Sequence, residues 1–282
     1  MKNIFNSLIM SLLVVSTFAQ SSFKQVNKVK IEEYLSKLPA TFKVTMLVES
    51  IEGKVYFSHR ADERVPSASV IKIPILIELM EKVKKHELSL DKIHTLTNAE
   101  KTGGSGILAN IAEGKQLTIR DIAQEMIRSS DNTATNILIH EIGMEAINQN
   151  LAQLGMMKTR LNRVMMDTEA VKQGRENYVN VVEINALMRL IYNKKVATPT
   201  LCDEMISMLK NCADTATIPR NLPKDLIIAH KTGGLPYVRG DAAIIYTTKP
   251  FIISIFIEGF NDETAAEQAI GDLAEICWRE LR

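Results

Sequence analysis

Strand-type alternation in this chain is confined to its two ends, and the long span between them, residues 69–211, carries helical periodicity. A chain patterned in that way must close one sheet from both of its ends around a helical middle, an α+β arrangement of antiparallel sheet, flanking helices and an inserted all-helical lobe. At the front, residues 29–38 have helical character and residues 42–50 alternate as a half-buried strand does, with Val44, Met46 and Val48 on one side. Residues 51–54 supply a turn, and Val55–His59 pairs back as a hairpin. At the back, strand character returns at residues 226–230, 241–247 and 251–258, and a last helix is expected over residues 262–281 with Ala265, Ala269, Leu273 and Ile276 as its apolar stripe. Within the middle, Thr118, Asn180 and Pro199 are helix starts, and Gly143 and Gly155 are stops. Asn180 and Glu183 have the spacing of a capping box. No repeat or low-complexity linker divides the chain. The expected organisation is one catalytic unit over residues 20–282, with an α/β lobe at about residues 27–62 and 213–282 and a helical lobe at about residues 63–212.

The balance of charge excludes several partners. A formal net charge of +1 with 24% charged and 46% hydrophobic residues describes an ordinary soluble protein. Its local basic run, Lys82, Lys84, Lys85 and His86, is interleaved with Glu78, Glu81 and Glu87, which is a solvated helix face and not a nucleic-acid surface. The first residues read as an export signal, with Lys2, an apolar stretch over residues 8–18 and small residues before an expected cleavage after Ala19. That stretch is too short to span a bilayer, so a periplasmic or secreted monomer is expected. Cys202, Cys212 and Cys277 are odd in number; a bridge between Cys202 and Cys212 and three buried free thiols are both open.

Three motifs carry chemistry, in one order: Ser69-Val70-Ile71-Lys72, Ser130-Asp131-Asn132 and Lys231-Thr232-Gly233. The first pattern alone is weak, because S-x-x-K recurs at Ser21/Lys24, Ser89/Lys92 and Ser207/Lys210. The ordered trio is far more specific. Ser69 opens an apolar helix through Ile71, Ile75 and Leu79, which sets its hydroxyl where backbone N–H groups favour developing negative charge. Lys72 lies one turn on, and a partly desolvated lysine there can take the hydroxyl proton. Ser130 falls in a short connection between two helices, where it can carry a proton, while the Asn132 amide can bond a substrate amide and Asp131 can cap the following helix. Lys231 and Thr232 end the apolar strand of residues 226–230, suited to a substrate carboxylate, and Gly233 and Gly234 let a ligand backbone approach. Arg239, across a turn, is either a second cation or structural. Among the five scattered histidines, His230 is the one expected near the site. Neither G-x-S-x-G nor H-E-x-x-H is present, and the chemistry of the trio calls for no metal or cofactor.

With these motifs the chain resembles the class A serine β-lactamases and their DD-peptidase relatives over its mature length. The resemblance implies Ser69 as acylated nucleophile, Lys72 as its base, Ser130 as relay to the leaving nitrogen and Asn132 as an amide contact. It further implies Lys231 and Thr232 at the substrate carboxylate, and the N–H groups of Ser69 and Gly234 as the oxyanion hole. The substrate would be a β-lactam or a D-Ala-D-Ala-like peptide. One segment departs from the family. Aligned on Arg163, residue Met165 occupies the place where the family carries a glutamate that activates the deacylating water. Asp167 and Glu169 are the neighbouring acids that could be recruited.

Overall fold

The computed structural model describes residues 27–282, and the expected export segment and its cleavage site lie outside them. Helix α1 (Lys28–Lys37) leads into the hairpin of β1 (Lys43–Ser50) and β2 (Val55–His59). Short β3 (Arg64–Pro66) pairs with the distant β6 (Tyr178–Asn180), and β4 (Ile93–Thr95) pairs with β5 (Gln116–Thr118). The middle of the chain supplies α2 (Lys72–Lys84), α3 (Ile119–Arg128), α4 (Asn132–Ile142), α5 (Met144–Gln153), α6 (Thr168–Lys172), α7 (Val181–Tyr192) and α8 (Pro199–Lys210). Then β7 (Ile228–Leu235), β8 (Val238–Ile245) and β9 (Phe251–Glu258) return to the sheet, and α9 (Glu263–Leu281) closes the fold. The sheet order is β2-β1-β9-β8-β7, antiparallel throughout, so the first and last strands of the chain are hydrogen-bonded neighbours. This is the α+β arrangement expected from the sequence, except that the inserted lobe is not all-helical: the β3-β6 and β4-β5 pairs lie within it, each only three residues long and so too short to show an alternating pattern.

The sheet is covered on both faces, which changes the reading of β1. Val44, Met46 and Val48 share one face, as their alternation required, and pack with Ile270 and Leu273 of α9. The opposite face is buried too: Leu47 joins the core beneath the helices, and Glu49 is ion-paired with Arg189 of α7. A strand between two helical layers is buried on both faces; of the polar residues that suggested a wet face, Glu49 has found a partner in Arg189, while the Thr45 hydroxyl is buried without one. Helix α2 is buried from Lys72 through Met80, as befits a helix that is apolar nearly all round and is flanked by α4, α5, α7 and α8. Each fully buried Ile or Leu there contributes about 1.5–3 kcal/mol.

Helix ends follow the local signals. Thr118 and Asp121 form a reciprocal capping box on α3, Thr198 caps α8 with Pro199 in its first turn, and Asp262 caps α9. Asn180 caps α7 through the N–H groups of Val182 and Glu183, but its box is one-sided, because the Glu183 carboxylate accepts from Lys158 N at 2.8 Å and Thr159 N at 2.5 Å. The apolar stripe of α9 is also rotated from the expected one: Ala266, Ala269, Ile270, Leu273, Ala274 and Cys277 are buried, whereas Ala265 is exposed. Among the described residues, no helix is long and apolar enough to cross a membrane.

Strand β7 does not stop before the third motif. It runs on through Lys231, Thr232 and Gly233 to Leu235, paired in register with β8, which begins at Val238. Ladder hydrogen bonds across the tight hairpin override the low strand preference of its glycines, which is why the apolar run alone ended too early. The three cysteines are free and buried. Cys202 lies in the first turns of α8 and Cys212 just beyond its last, so at about 1.5 Å per residue the two are roughly 15 Å apart, far outside disulfide reach.

Candidate active site

Four residues of 3₁₀ turn, Ala68–Ile71, carry Ser69 into the start of α2. The turn is held from below by β7. A Cβ on Gly233 would stand 3.0 Å from Ala68 Cβ, Ser67 O and Ser69 N, so the glycine of the third motif is what permits the strand to pass directly beneath the serine. Ala68 takes a left-handed backbone, φ 43°, and so does Ser130, φ 56°. Two non-glycine residues in that region on either side of one cleft mark local strain held by tertiary contacts.

The three motifs meet at Lys72. Its Nζ donates to Ser69 Oγ at 3.0 Å, Ser130 O at 2.6 Å, Ser130 Oγ at 3.0 Å and Asn132 Oδ1 at 3.2 Å. Lys231 Nζ approaches Ser130 Oγ from the other side at 3.1 Å and donates to Thr232 O at 2.8 Å. Both lysines are 0% exposed. Burial, joined by the charge of Lys231, pushes Lys72 well below its ordinary value, against the pull of Asp131 and Cys212. Lys231 is pushed down chiefly by burial, opposed by Cys212, Asp241 and Asp214. A serine hydroxyl between two lysines, each disfavoured as a full charge, is poised to pass protons.

Asp131 fixes this geometry without facing the cleft. Its carboxylate caps α4 through Ala134 N at 2.8 Å and also accepts from Ile107 N and Leu108 N, tying the loop over residues 104–108 to the second motif. Asn132 Nδ2 donates to Gly103 O at 3.1 Å, which aims its oxygen at Lys72.

Two connected clefts open from Ser69. One, of ≈ 450 Å³, is lined by Ser130, Lys231, Thr232, Gly234 and Arg239. Arg239 is therefore at the rim, but it is not a free cation: its guanidinium bonds Asp214 Oδ2 and Glu267 Oε1, each at 2.8 Å, with Glu263 at 3.5 Å. The register of β8 carries the side chain toward the acidic start of α9, a consequence no local pattern announces.

The other cleft, ≈ 520 Å³, is walled by Met165, Met166, Leu235 and Tyr237, with Asp167 also in its lining. It is shaped by a loop whose ends are pinned together: Asn177 Oδ1 accepts from Asn162 N and Arg163 N, and Arg163 pairs with Glu176 at 2.7 Å, both buried. Asn136 clamps the backbone of Met165, accepting from its N–H at 2.7 Å and donating to its carbonyl at 3.1 Å. Both neighbouring acids have partners of their own. Asp167 caps α6 through Ala170 N at 2.9 Å, and Glu169 is 69% exposed and paired with Lys172. The first lines the cleft and gives Oδ1 to the cap; the second is not in the cleft lining.

Sequence patterns missed a buried group on the lysine side. His230 Nδ1 meets the Asp241 carboxylate at 3.1 and 3.2 Å, and the imidazole is hydrogen-bonded to the thiol of Cys212. His230 was expected near the site, but nothing in the spacing of Cys212 or Asp241 links them to it.

Comparison with known proteins accords with this geometry. A β-lactamase of Streptomyces fradiae is 26% identical over 227 residues, 76% of this chain and 72% of that protein. The D-alanyl-D-alanine carboxypeptidase DacF of Bacillus subtilis is 28% identical over 167 residues, 56% of this chain and 41% of that one. The crystal structure of a β-lactamase from Sphaerobacter thermophilus superposes with a TM-score of 0.84 at 29% identity, covering 91% of this chain and 98% of the other. The family model described as "Beta-lactamase enzyme family" matches residues 27–281, and with nine-tenths of its length so matched the chain belongs to the β-lactamase enzyme family.

Proposed function

We propose that this β-lactamase-family hydrolase opens β-lactam rings by the class A route, through an acyl ester on Ser69, outside the cytoplasm. The observation that carries the reading is the convergence of Lys72 Nζ on Ser69 Oγ and Ser130 Oγ, each at 3.0 Å. Lys72, disfavoured as an ammonium, takes the Ser69 proton as the oxygen attacks the lactam carbonyl. The N–H groups of Ser69 and Gly234 receive the developing oxyanion. Ser130, between the two lysines, delivers a proton to the departing ring nitrogen, and the electron pair of the broken C–N bond stays on that nitrogen. Lys231 and Thr232 hold the substrate carboxylate, Asn132 contacts the acyl amide, and Arg239 with Asp214 shapes the rim. The cleft lies at the seam of the lobes over residues 27–62 with 213–282 and residues 63–212.

Deacylation is the weak step in this scheme. A thioether at Met165 cannot activate water, Asp167 gives one carboxylate oxygen to a helix cap, and Glu169 lies outside the cleft. Met165 therefore favours a second reading on the same first step: a slowly deacylating penicillin-binding protein or a D-Ala-D-Ala peptidase. Intact-mass spectrometry of the purified mature protein with benzylpenicillin, beside a time course of nitrocefin hydrolysis, tests both. An adduct on Ser69 that is lost in Ser69→Ala is the expected result. An adduct on another serine, with Ser69 unmodified, overturns the scheme, and the rate at which the adduct disappears separates the two readings.

A further inference from the structure

The wall between the carboxylate side of the cleft and the opposite surface is made by Cys212. The residue borders the ≈ 450 Å³ cleft beside Lys231 and Thr232, and together with His230 it borders a second cavity, also ≈ 450 Å³, on the far side, lined by Lys210, Thr215 and Lys224. Behind the sulfur stands a Cys–His–Asp relay: the His230 imidazole bonds the thiol, and its Nδ1 meets Asp241, whose carboxylate is in turn held by Thr217 Oγ1 at 2.7 Å and Ile218 N at 3.3 Å. We propose that Cys212 is a covalent modification site of this protein, a thiolate that exchanges with small carboxylate-bearing disulfides and thereby closes the substrate cleft.

Three observations support the assignment. The first is contrast within the molecule. Cys202 is 0% exposed with its sulfur given to Val196 O at 2.8 Å, and Cys277 is 0% exposed in the core on α9, where burial pushes its thiol up, whereas Cys212 lines the cleft and the second cavity. The second is electrostatic. Burial by itself would raise the Cys212 thiol, but the hydrogen bond from His230 and the charges of Lys231 and His230 outweigh it and bring the thiol down to about 7. The groups facing the sulfur are His230 and Lys231 on β7 and Asp241 on β8, and its charge is felt as far as Lys72 on α2. The third is recognition: Lys231 and Thr232, which offer a cation and a hydroxyl to a substrate carboxylate, offer the same pair to a carboxylate on an incoming disulfide.

The step balances with a disulfide as the oxidant. The Cys212 thiolate attacks one sulfur, the new S–S bond forms as the old one breaks, and the leaving thiolate departs with the electron pair and takes a proton from solvent. The protein thiol is oxidised to a mixed disulfide and half of the reagent is reduced to a thiol. An adduct on Cys212 fills the space beside Lys231, so acylation of Ser69 should be blocked. That consequence rests on the proposed reading of the cleft, whereas the modification itself does not.

The folded mature protein incubated with oxidised glutathione, then analysed by intact mass and peptide mapping, tests the site with no β-lactam present. The expected result is a single glutathione adduct on Cys212, absent from Cys202 and Cys277 and reversed by dithiothreitol. Its rate should rise with pH to half its maximum near 7, against about 8.5 for an ordinary thiol. His230→Asn should slow the exchange by about tenfold or more. If that variant fails to fold, the wild-type pH profile still decides. Acylation by benzylpenicillin, read on the adduct and after reduction, should drop by roughly tenfold or more and recover. An unmodified Cys212, or a profile centred near 8.5, overturns the site. Modification with acylation undiminished overturns the blocking role. Failure of the unmodified protein to acylate at all refutes the proposed function and leaves the thiol result standing.

Discussion

Lys72 Nζ sits 3.0 Å from Ser69 Oγ, and every other acceptor it reaches belongs to Ser130 or Asn132 of the second motif. Its four contacts include no carboxylate, and burial with the charge of Lys231 has pushed it well below the ordinary lysine range, against the pull of Asp131 and Cys212. In its proposed role as the base it must be unprotonated, so acylation should fall as pH drops through that lowered value. Lys72→Arg keeps the charge and reach but cannot lose a proton. Single-turnover acylation by nitrocefin should therefore fall by about 10²–10⁴-fold in Lys72→Arg, with folding retained by circular dichroism. A variant that acylates at the wild-type rate would remove Lys72 from the base role.

Lys231 reaches the same Ser130 hydroxyl from the substrate side. Lys231→Ala should cut kcat/KM for a carboxylate-bearing β-lactam by a few kcal/mol, roughly 10²-fold or more. A carboxylate-free analogue should lose far less. Equal losses on the two substrates would point to a structural role.

Gly233 supports the turn of Ser69 by being small. A methyl group there meets Ala68 Cβ, Ser67 O and Ser69 N at 3.0 Å, two of them backbone atoms that cannot swing away. Gly233→Ala should cost about 1–3 kcal/mol of stability in urea unfolding. It should also slow acylation by at least about tenfold, since a small displacement of Ser69 is felt in the chemistry. Unchanged acylation would show that the turn tolerates the shift.

Met165 predicts the kinetic shape. With no carboxylate positioned for the water, nitrocefin should give a stoichiometric burst and then a slow steady rate. Met165→Glu, its backbone held by the same Asn136 clamp, should speed the slow phase, and Asp167→Asn and Glu169→Gln should leave it unchanged. Rapid turnover without a burst, abolished by either control substitution, would identify that acid as the base.

His230 ties stability to pH. Burial alone would favour its neutral form, but the charge and hydrogen bond of Asp241 outweigh burial and push it up to about 10 from 6.5. A raised folded value means that its stabilisation is complete below about 6.5, where the unfolded imidazole is also protonated, and is lost as pH rises toward 10. The urea midpoint of His230→Asn should fall furthest below wild type near pH 6, and the gap should close by about pH 10. A gap constant across that range would mean that His230 only fills space.

Local chemistry was legible in the residues themselves. Thr118, Thr198 and Asp262 cap their helices because a side-chain oxygen needs only its next three residues to find the orphan N–H groups, and Asp131 does the same at the second motif. The span Phe251–Glu258 is a strand by its own composition, and the pattern of strands at both ends with helices between specified the α+β class. The residue types of the three motifs point to serine acyl transfer, and the fold brings the three motifs together around Lys72 and Ser130. Tertiary structure decided what depends on partners distant in sequence. It covered β1 on its second face, drew Glu183 away from Asn180 to the N–H groups of Lys158 and Thr159, and carried β7 on to Leu235 through pairing with β8. It also surrounded Arg239 with three carboxylates and assembled Cys212, His230 and Asp241 into one buried group. A one-dimensional pattern reports the periodicity and capping of an element, which are set within a few residues; the direction in which a long side chain is neutralised is set by whichever element the fold brings against it.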